Sequence, residues 1–263
     1  MCELMGLSFA RPISAEFSFR EFGERSTENA DGWGLAWYPD RAIAVVKEPR
    51  RWGQTTYVSF LENYPGLRSA LYIGHVRHRT MGGEPTYADT HPFVRELGGR
   101  EYCFAHNGTL RDLTEPLDGR FQPVGSTDSE RAFCHLLDAL AKRHEPLTTE
   151  KDWCWLHTQL AKLNEKGQLN CLLADGERLF CYHDQNRYKG LTYRPVRIPD
   201  LDIRRFEDAE WTIDLTEEAA NHGFVVATHP LSLHGWQPFG AGELIVLQAG
   251  QICFSSATPV GKR

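Results

Sequence analysis

No stretch of this sequence is apolar for long enough to cross a bilayer; the best runs, residues 224–228 and 244–247, have the length of strands. Positive charge is also in short supply. Against 29 Lys and Arg stand 35 Asp and Glu, a net charge of −6. No basic stripe is left to neutralise phosphates, so neither nucleic acid nor an anionic membrane is an expected partner. The opening Met1-Cys2-Glu3-Leu4 lacks a basic segment and an apolar one, so no secretory signal is expected. Seven cysteines, an odd number without framework spacing, suit reduced thiols packed in a core, and the expected location is the cytoplasm. There is no internal repeat, no low-complexity tract and no Pro- or Gly-rich linker. With 41% hydrophobic residues, one domain over residues 2–263 is expected.

What is present reads as antiparallel strands with few helices. Strand patterns cover residues 3–9, 34–38, 42–47, 70–77, 101–106, 170–174, 179–182, 223–228, 243–248 and 251–255, joined by short turns such as Ala249-Gly250. Thr127-Asp128-Ser129-Glu130 has the form of a capping box. Ala132, Phe133, Leu136, Leu137 and Leu140 follow it at helical spacing. A second helix is expected from about Glu150 to Lys166, stopped by Gly167, with Trp153, Leu156, Leu160 and Leu163 inward. Shorter helices are expected near residues 15–23 and 54–64. Helices set between blocks of antiparallel strands predict an α+β layered architecture.

Cys2 is the sharpest chemical feature. Removal of Met1 would leave it with both a thiol and a free α-amine. An α-amine titrates near pH 8, so one residue would supply nucleophile and base. The plainer reading is one more buried cysteine. Gly74-His75-Val76-Arg77-His78-Arg79-Thr80 ends a strand whose alternation puts His75 and Arg77 on one face. Arg77 there suits either two-pronged capture of a carboxylate or a solvated basic edge. In Phe104-Ala105-His106-Asn107-Gly108-Thr109, Asn107-Gly108 is either a hairpin turn or a pair of donors for an oxyanion. Asp128 either favours the helix dipole or binds an ammonium group. His75, His78, His91 and His106 lack the spacing of a zinc site, and no metal or cofactor is expected.

Together these segments resemble the class II glutamine amidotransferases of the N-terminal-nucleophile hydrolase superfamily, and most nearly their stand-alone bacterial YafJ-type group. The segments are Met1-Cys2-Glu3-Leu4-Met5-Gly6, Asp31-Gly32-Trp33-Gly34, Gly74-His75-Val76-Arg77, Thr90-His91-Pro92-Phe93, His106-Asn107-Gly108 and Gly125-Ser126-Thr127-Asp128-Ser129-Glu130. Ala227-Thr228-His229-Pro230-Leu231 and Gly242-Glu243-Leu244 extend the likeness through the chain.

The resemblance implies a four-layer αββα sandwich of two antiparallel sheets. It implies that Cys2 attacks the side-chain amide of glutamine, with its α-amine carrying the proton. Asn107 and the Gly108 N–H would form the oxyanion hole, Arg77 would hold the α-carboxylate and Asp128 the α-ammonium. His75, Thr80 and His91 would join them in binding substrate. The loop over residues 78–89 would close on the bound molecule, anchored by His91-Pro92. The family's large synthases carry a second domain that consumes the ammonia. Here a separate ammonia-accepting subunit would take that part, unless the chain hydrolyses a γ-glutamyl peptide or thiol-metabolism compound or serves as a silent glutamine-binding module.

Overall fold

The computed structural model describes residues 3–19, 30–50, 57, 61, 64, 67–78, 86–198, 205–207, 211–215, 221–231 and 234–257. In chain order the strands are β1 (Glu3–Phe19), β2 (Ala30–Trp37), β3 (Ala44–Glu48), β4 (Arg68–His78), β5 (Phe93–Leu97), β6 (Arg100–Asn107), β7 (Asn170–Ala174), β8 (Arg178–Tyr182), β9 (Thr192–Ile198), β10 (Arg205–Glu207), β11 (Trp211–Leu215), β12 (Asn221–Ala227), β13 (Gln237–Pro238), β14 (Leu244–Gln248) and β15 (Gln251–Ser255). Two helices, α1 (Asp128–Arg143) and α2 (Glu150–Asn164), lie between β6 and β7.

All pairing is antiparallel. One sheet runs β13-β9-β12-β1-β4-β2-β3, with β11 on the second half of β1 and β10 on β11; the other runs β15-β14-β8-β7-β6-β5. Alternation along the strands sorts side chains into three cores. Met5, Leu7, Phe9, Tyr72, Val76, Val225 and Ala227 face outward from the first sheet. Leu4, Leu71, Ile73, Cys103, Ala105, Leu172, Cys181 and Ile245 fill the space between the sheets. Phe104, Leu173, Phe180 and Val246 face α1 and α2. Because both faces of β7, β8 and β14 are covered, these strands read as unbroken apolar runs.

All five apolar residues expected on the inner face of α1 are buried, as are Trp153, Leu156 and Leu160 of α2, with Leu163 half-covered. On the opposite side of the molecule Leu61, in helical conformation with Tyr57, is buried against the outer face of the first sheet. Tyr64 is not helical, and the other residues of the helix expected near residues 54–64 lie outside the described residues.

Two local expectations are corrected. Residues 15–19 are strand and not helix: they continue β1, with Ala15 opposite Leu215 and Phe19 opposite Trp211. The reason is visible in Ala15-Glu16-Phe17-Ser18-Phe19, which alternates with period two. The other correction concerns the start of α1, where only half of the expected capping box forms. Thr127 Oγ1 accepts from the Glu130 N–H at 3.2 Å, but the Glu130 carboxylate turns away. It accepts instead from the Gly125 N–H at 2.7 Å and pairs with Arg95 at 2.5 Å. The full reciprocal box belongs to α2, between Thr149 and Asp152.

Candidate active site

Strand β1 enters the first sheet between β4 and β12, with Glu3 opposite Val76, Leu4 opposite His75 and Met5 opposite Ala227. The start of β1 therefore lies beside the end of β4 that carries Arg77. Cys2 and Thr80 lie outside the described residues, as do the His78 side chain and residues 79–85 of the expected loop. The Glu3 carboxylate is buried, accepts from the Thr228 hydroxyl, and has His229 Nε2 at 3.6 Å. Thr228 also bonds Leu4 in both directions, N–H to Oγ1 and O to N–H, which fixes the first turn of β1 against β12.

On β4, His75 and Arg77 share the inter-sheet face, as alternation requires. His75 is fully buried, and its ring lies 4.1 Å from that of His91 at an interplanar angle of 32°. His91 in turn leans on Phe93 at 4.5 Å. Neither His91 ring nitrogen has a hydrogen-bond partner among the described residues. Burial, then the neighbouring His75, His106, Arg77 and Lys47, push its pKa well below the usual histidine value, so it is neutral near pH 7. Gly34, opposite His75 in β2, makes room for this packing. A Cβ at Gly34 would stand 2.1 Å from the His91 carbonyl oxygen.

On β6 the alternation sends His106 under α1 and Asn107 to the inter-sheet side with Ala105. His106 Nε2 lies 2.9 Å from the Gln168 carbonyl and must donate to it, so in the neutral ring Nδ1 accepts from the Ser129 hydroxyl at 2.8 Å. Burial lowers its pKa against the opposing pull of Asp128. Asn107 ends the strand opposite Asn170. Gly108 follows, where a Cβ would stand 2.1 Å from the Gln168 carbonyl oxygen. Only glycine fits there.

Arg77 and Asp128 complete the rim. Arg77 Nη1 donates to the Asp89 carbonyl at 2.8 Å, and no carboxylate pairs with it among the described residues. Asp128, half-buried at the start of α1, accepts from the Leu110 N–H at 2.6 Å and its neighbour's N–H at 2.9 Å. It has no cationic partner among the described residues. Among the described residues neither the Arg77 guanidinium nor the Asp128 carboxylate is held in an ion pair, although the Asp89 carboxylate lies close enough to Arg77 to be stabilised by it.

Sequence reasoning missed the residue that joins them, Asp89. Its carboxylate accepts from Ser126 N–H at 2.7 Å and from the Ser126 and Thr86 hydroxyls at 3.2 and 2.8 Å. A readable signal was its place one residue before Thr90-His91-Pro92-Phe93. Also missed was Asp184, fully buried, which accepts from Asn164 Nδ2 and the N–H groups of Leu169, Asn186 and Tyr188. With Asn170 Nδ2 donating to Tyr188 O at 2.7 Å, it pins the loop over residues 184–190 beside Asn107.

Six of the seven cysteines are described, and none is disulfide-bonded. Burial pushes up the thiols of Cys103, Cys171 and Cys181, and raises Cys134 to about 11. None of these four is poised as a thiolate. Cavities of about 310 and 320 Å³ lie on the outer helical layer, one lined by Leu113, His135, Leu136 and Leu163, and the other by Tyr102, Leu140 and Arg120. Neither touches the Arg77–Asp128 rim. Among the described residues no group of three or more His, Cys, Asp or Glu is placed to hold a metal ion. No helix there is long and apolar enough to cross a membrane.

Residues 1–263 match the family model for class-II glutamine amidotransferases. YafJ of Escherichia coli, designated a candidate glutamine amidotransferase, is 32% identical over 251 residues, covering 92% of this chain and 96% of that one. A candidate glutamine amidotransferase from Pseudomonas aeruginosa superposes with a TM-score of 0.76 at 32% identity, covering 96% of this chain and all of that structure. The glutamine phosphoribosylpyrophosphate amidotransferase of B. subtilis, 17% identical with a TM-score of 0.61 over 94% of this chain and 47% of that one, shares the fold: two antiparallel sheets flanked by helices, of the N-terminal-nucleophile hydrolase type. Its sequence and its architecture agree: this chain belongs to the class II glutamine amidotransferases.

Proposed function

We propose that this protein hydrolyses the side-chain amide of glutamine through Cys2, exposed as the N-terminal residue once Met1 is removed. The observation that carries the reading is that Arg77 and Asp128 have no ion-pair partner among the described residues, while Asp89 bonds both Arg77 and the turn before Asp128. A guanidinium and a carboxylate free of ion pairs are the complement of an α-amino acid zwitterion. An α-carboxylate on Arg77 and an α-ammonium on Asp128 would leave the side-chain amide free to extend inward between the sheets. There Leu4 of β1 and Ala105 of β6 share the inter-sheet core.

The α-amine of Cys2 takes the thiol proton as sulfur attacks the amide carbon. The oxyanion that forms is held by the Asn107 side-chain amide and the Gly108 N–H; each donor contributes on the order of 3 kcal/mol at the transition state. The C–N bond then breaks. The amine returns its proton to the departing nitrogen, which leaves as ammonia, and a γ-glutamyl thioester remains. Water, deprotonated by the same amine, hydrolyses it to glutamate. Either an acceptor, such as a separate subunit, takes the ammonia, or the hydrolysis is itself the reaction. Buried, protonated thiols at Cys103, Cys134, Cys171 and Cys181 support Cys2 as the nucleophile.

Intact-mass spectrometry with a diazo-ketone analogue of glutamine tests the assignment. The expected wild-type mass lacks Met1 and gains one adduct, whereas Cys2→Ala and Cys2→Ser gain none and retain less than about 1% of the glutaminase rate, a loss above ~3 kcal/mol. An adduct on Cys2→Ala, or turnover with Met1 retained, would sink the assignment.

A further inference from the structure

We propose that Asp89 is a positioning residue that sets the spacing between the carboxylate clamp at Arg77 and the ammonium site at Asp128, resting on the amino acid-binding role given to these two above. The two residues come from different sheets' territory, one at the end of β4 and one at the start of α1, and no hydrogen bond joins them directly. Asp89 touches both sides. Its backbone carbonyl takes the Arg77 Nη1 proton at 2.8 Å. Its carboxylate Oδ1 takes the Ser126 N–H at 2.7 Å and the Ser126 hydroxyl at 3.2 Å, two residues before Asp128.

The turn that carries Asp89 is itself anchored. Oδ2 accepts from the Thr86 hydroxyl at 2.8 Å, and the Asp89 N–H bonds back to Thr86. Thr90 Oγ1 donates to Thr86 O at 2.7 Å, and Lys47 Nζ donates to Thr90 O at 2.7 Å. On the far side Gly125 lies so close that a Cβ there would be 2.5 Å from Asp89 Oδ1. Glu130 holds the Gly125 N–H from within α1. A continuous strap therefore runs from Lys47 and Arg77 through Asp89 to Ser126 and Asp128. Burial opposes ionisation of Asp89, but the Ser126 N–H, the Thr86 and Ser126 hydroxyls and Arg77 hold its carboxyl below the usual range, so the strap stays charged near pH 7.

Cutting the side-chain half of the strap frees Asp128 from Arg77 without changing the side chain of either. In the full-length chain, Asp89→Ala is expected to raise KM for glutamine about tenfold with kcat within about threefold of wild type. A role confined to stability would lower the active fraction and leave KM alone. Asp89→Asn keeps one acceptor for the Ser126 N–H, and its KM is expected within about threefold of wild type. Calorimetry reads the same spacing without turnover. Asp89→Ala should weaken L-glutamate about tenfold, yet weaken glutarate, which has no ammonium to reach Asp128, by less than about threefold. Unchanged KM and Kd in Asp89→Ala, or equal weakening of both ligands, overturns the proposal. A wild-type protein that binds glutamate in an Asp89-dependent way without hydrolysing glutamine would sink the hydrolytic reading and uphold the strap. One that binds neither ligand would remove both.

Discussion

Arg77 shows how much one side chain's surroundings decide. Its position one residue before the end of β4 followed from strand alternation, but its freedom from any described carboxylate did not. Among the described residues the guanidinium has a single hydrogen bond, to a carbonyl, which leaves its forked face for a ligand in the proposed role. A lysine at the same place would offer a point charge and lose the two-pronged geometry. Arg77→Lys is therefore expected to lower kcat/KM for glutamine roughly 30-fold, about 2 kcal/mol, while lowering it only slightly for glutaminamide, which lacks the α-carboxylate. Steady-state kinetics on the two substrates decide this. Equal losses would show that Arg77 does not grip the carboxylate. His75 and His91 stand at the other extreme: expected to bind substrate, they are buried and stacked on one another. Their burial suits support beneath the site, and only the fold could show it, because His91 reaches His75 through the approach of Gly34 to His91-Pro92.

At the scale of elements, the junction of α1 and α2 offers a test separable from the active site. Asp152 accepts from the Thr148 and Thr149 N–H groups at 3.0 and 2.7 Å and from the Thr149 hydroxyl at 2.8 Å, and it pairs with Arg143 at the end of α1. Burial opposes its ionisation; those bonds and Arg143 outweigh it, and the carboxyl is held below its usual range. Asp152→Ala should cost about 2 kcal/mol in urea unfolding with KM for glutamine unchanged. A carboxyl depressed on folding stabilises above its unfolded pKa and loses that contribution as pH falls through the folded one. The difference between wild type and variant should accordingly shrink below about pH 4. A constant difference down to pH 2 would contradict the assigned cause. The helices and central strands were legible because their apolar spacing is strong, as in Asn170–Ala174, whose bounds match the expectation. Strands β5, β9, β10, β11 and β13 were not. In β9, Thr192-Tyr193-Arg194-Pro195-Val196-Arg197-Ile198 carries charges and a proline, and it is drawn into the sheet by seven residues of pairing with β12. For β5 the Gly98-Gly99 turn was the overlooked sign; both residues have positive φ, which suits the two-residue hairpin joining it to β6.

For the whole molecule, burying neutral histidines ties stability to pH. His91 and His106 both have folded pKa values below the ordinary one, chiefly through burial. Unfolded, each takes up a proton near pH 6.5; folded, it resists until lower pH. Stability should therefore be highest above about pH 7. It should fall as pH drops through 6.5, by at most about 1.4 kcal/mol per pH unit for each such group. Urea midpoints between pH 7.5 and 5.5 should show this decline. His91→Phe, which keeps a stacked ring and removes one titration, should flatten it. An unchanged slope in that variant would mean His91 is protonated in the folded protein or exposed to solvent.

The sequence by itself determined the family and the layered two-sheet class, through motifs whose order is written in the chain and apolar periods that allow few packings. It also marked Arg77, Asn107, Gly108 and Asp128 as candidates, because strand ends and a helix start are local features. Only the tertiary structure decided what surrounds them. That Arg77 and Asp128 form no ion pair among the described residues, that His91 is buried and neutral near Arg77, and that Asp89 joins the two sides all depend on segments far apart in sequence. The physical reason is the same in each case. Desolvation and hydrogen-bond partnership belong to the neighbours a residue acquires on folding, and the pairing of β1 with both β4 and β12 chooses those neighbours from opposite ends of the chain.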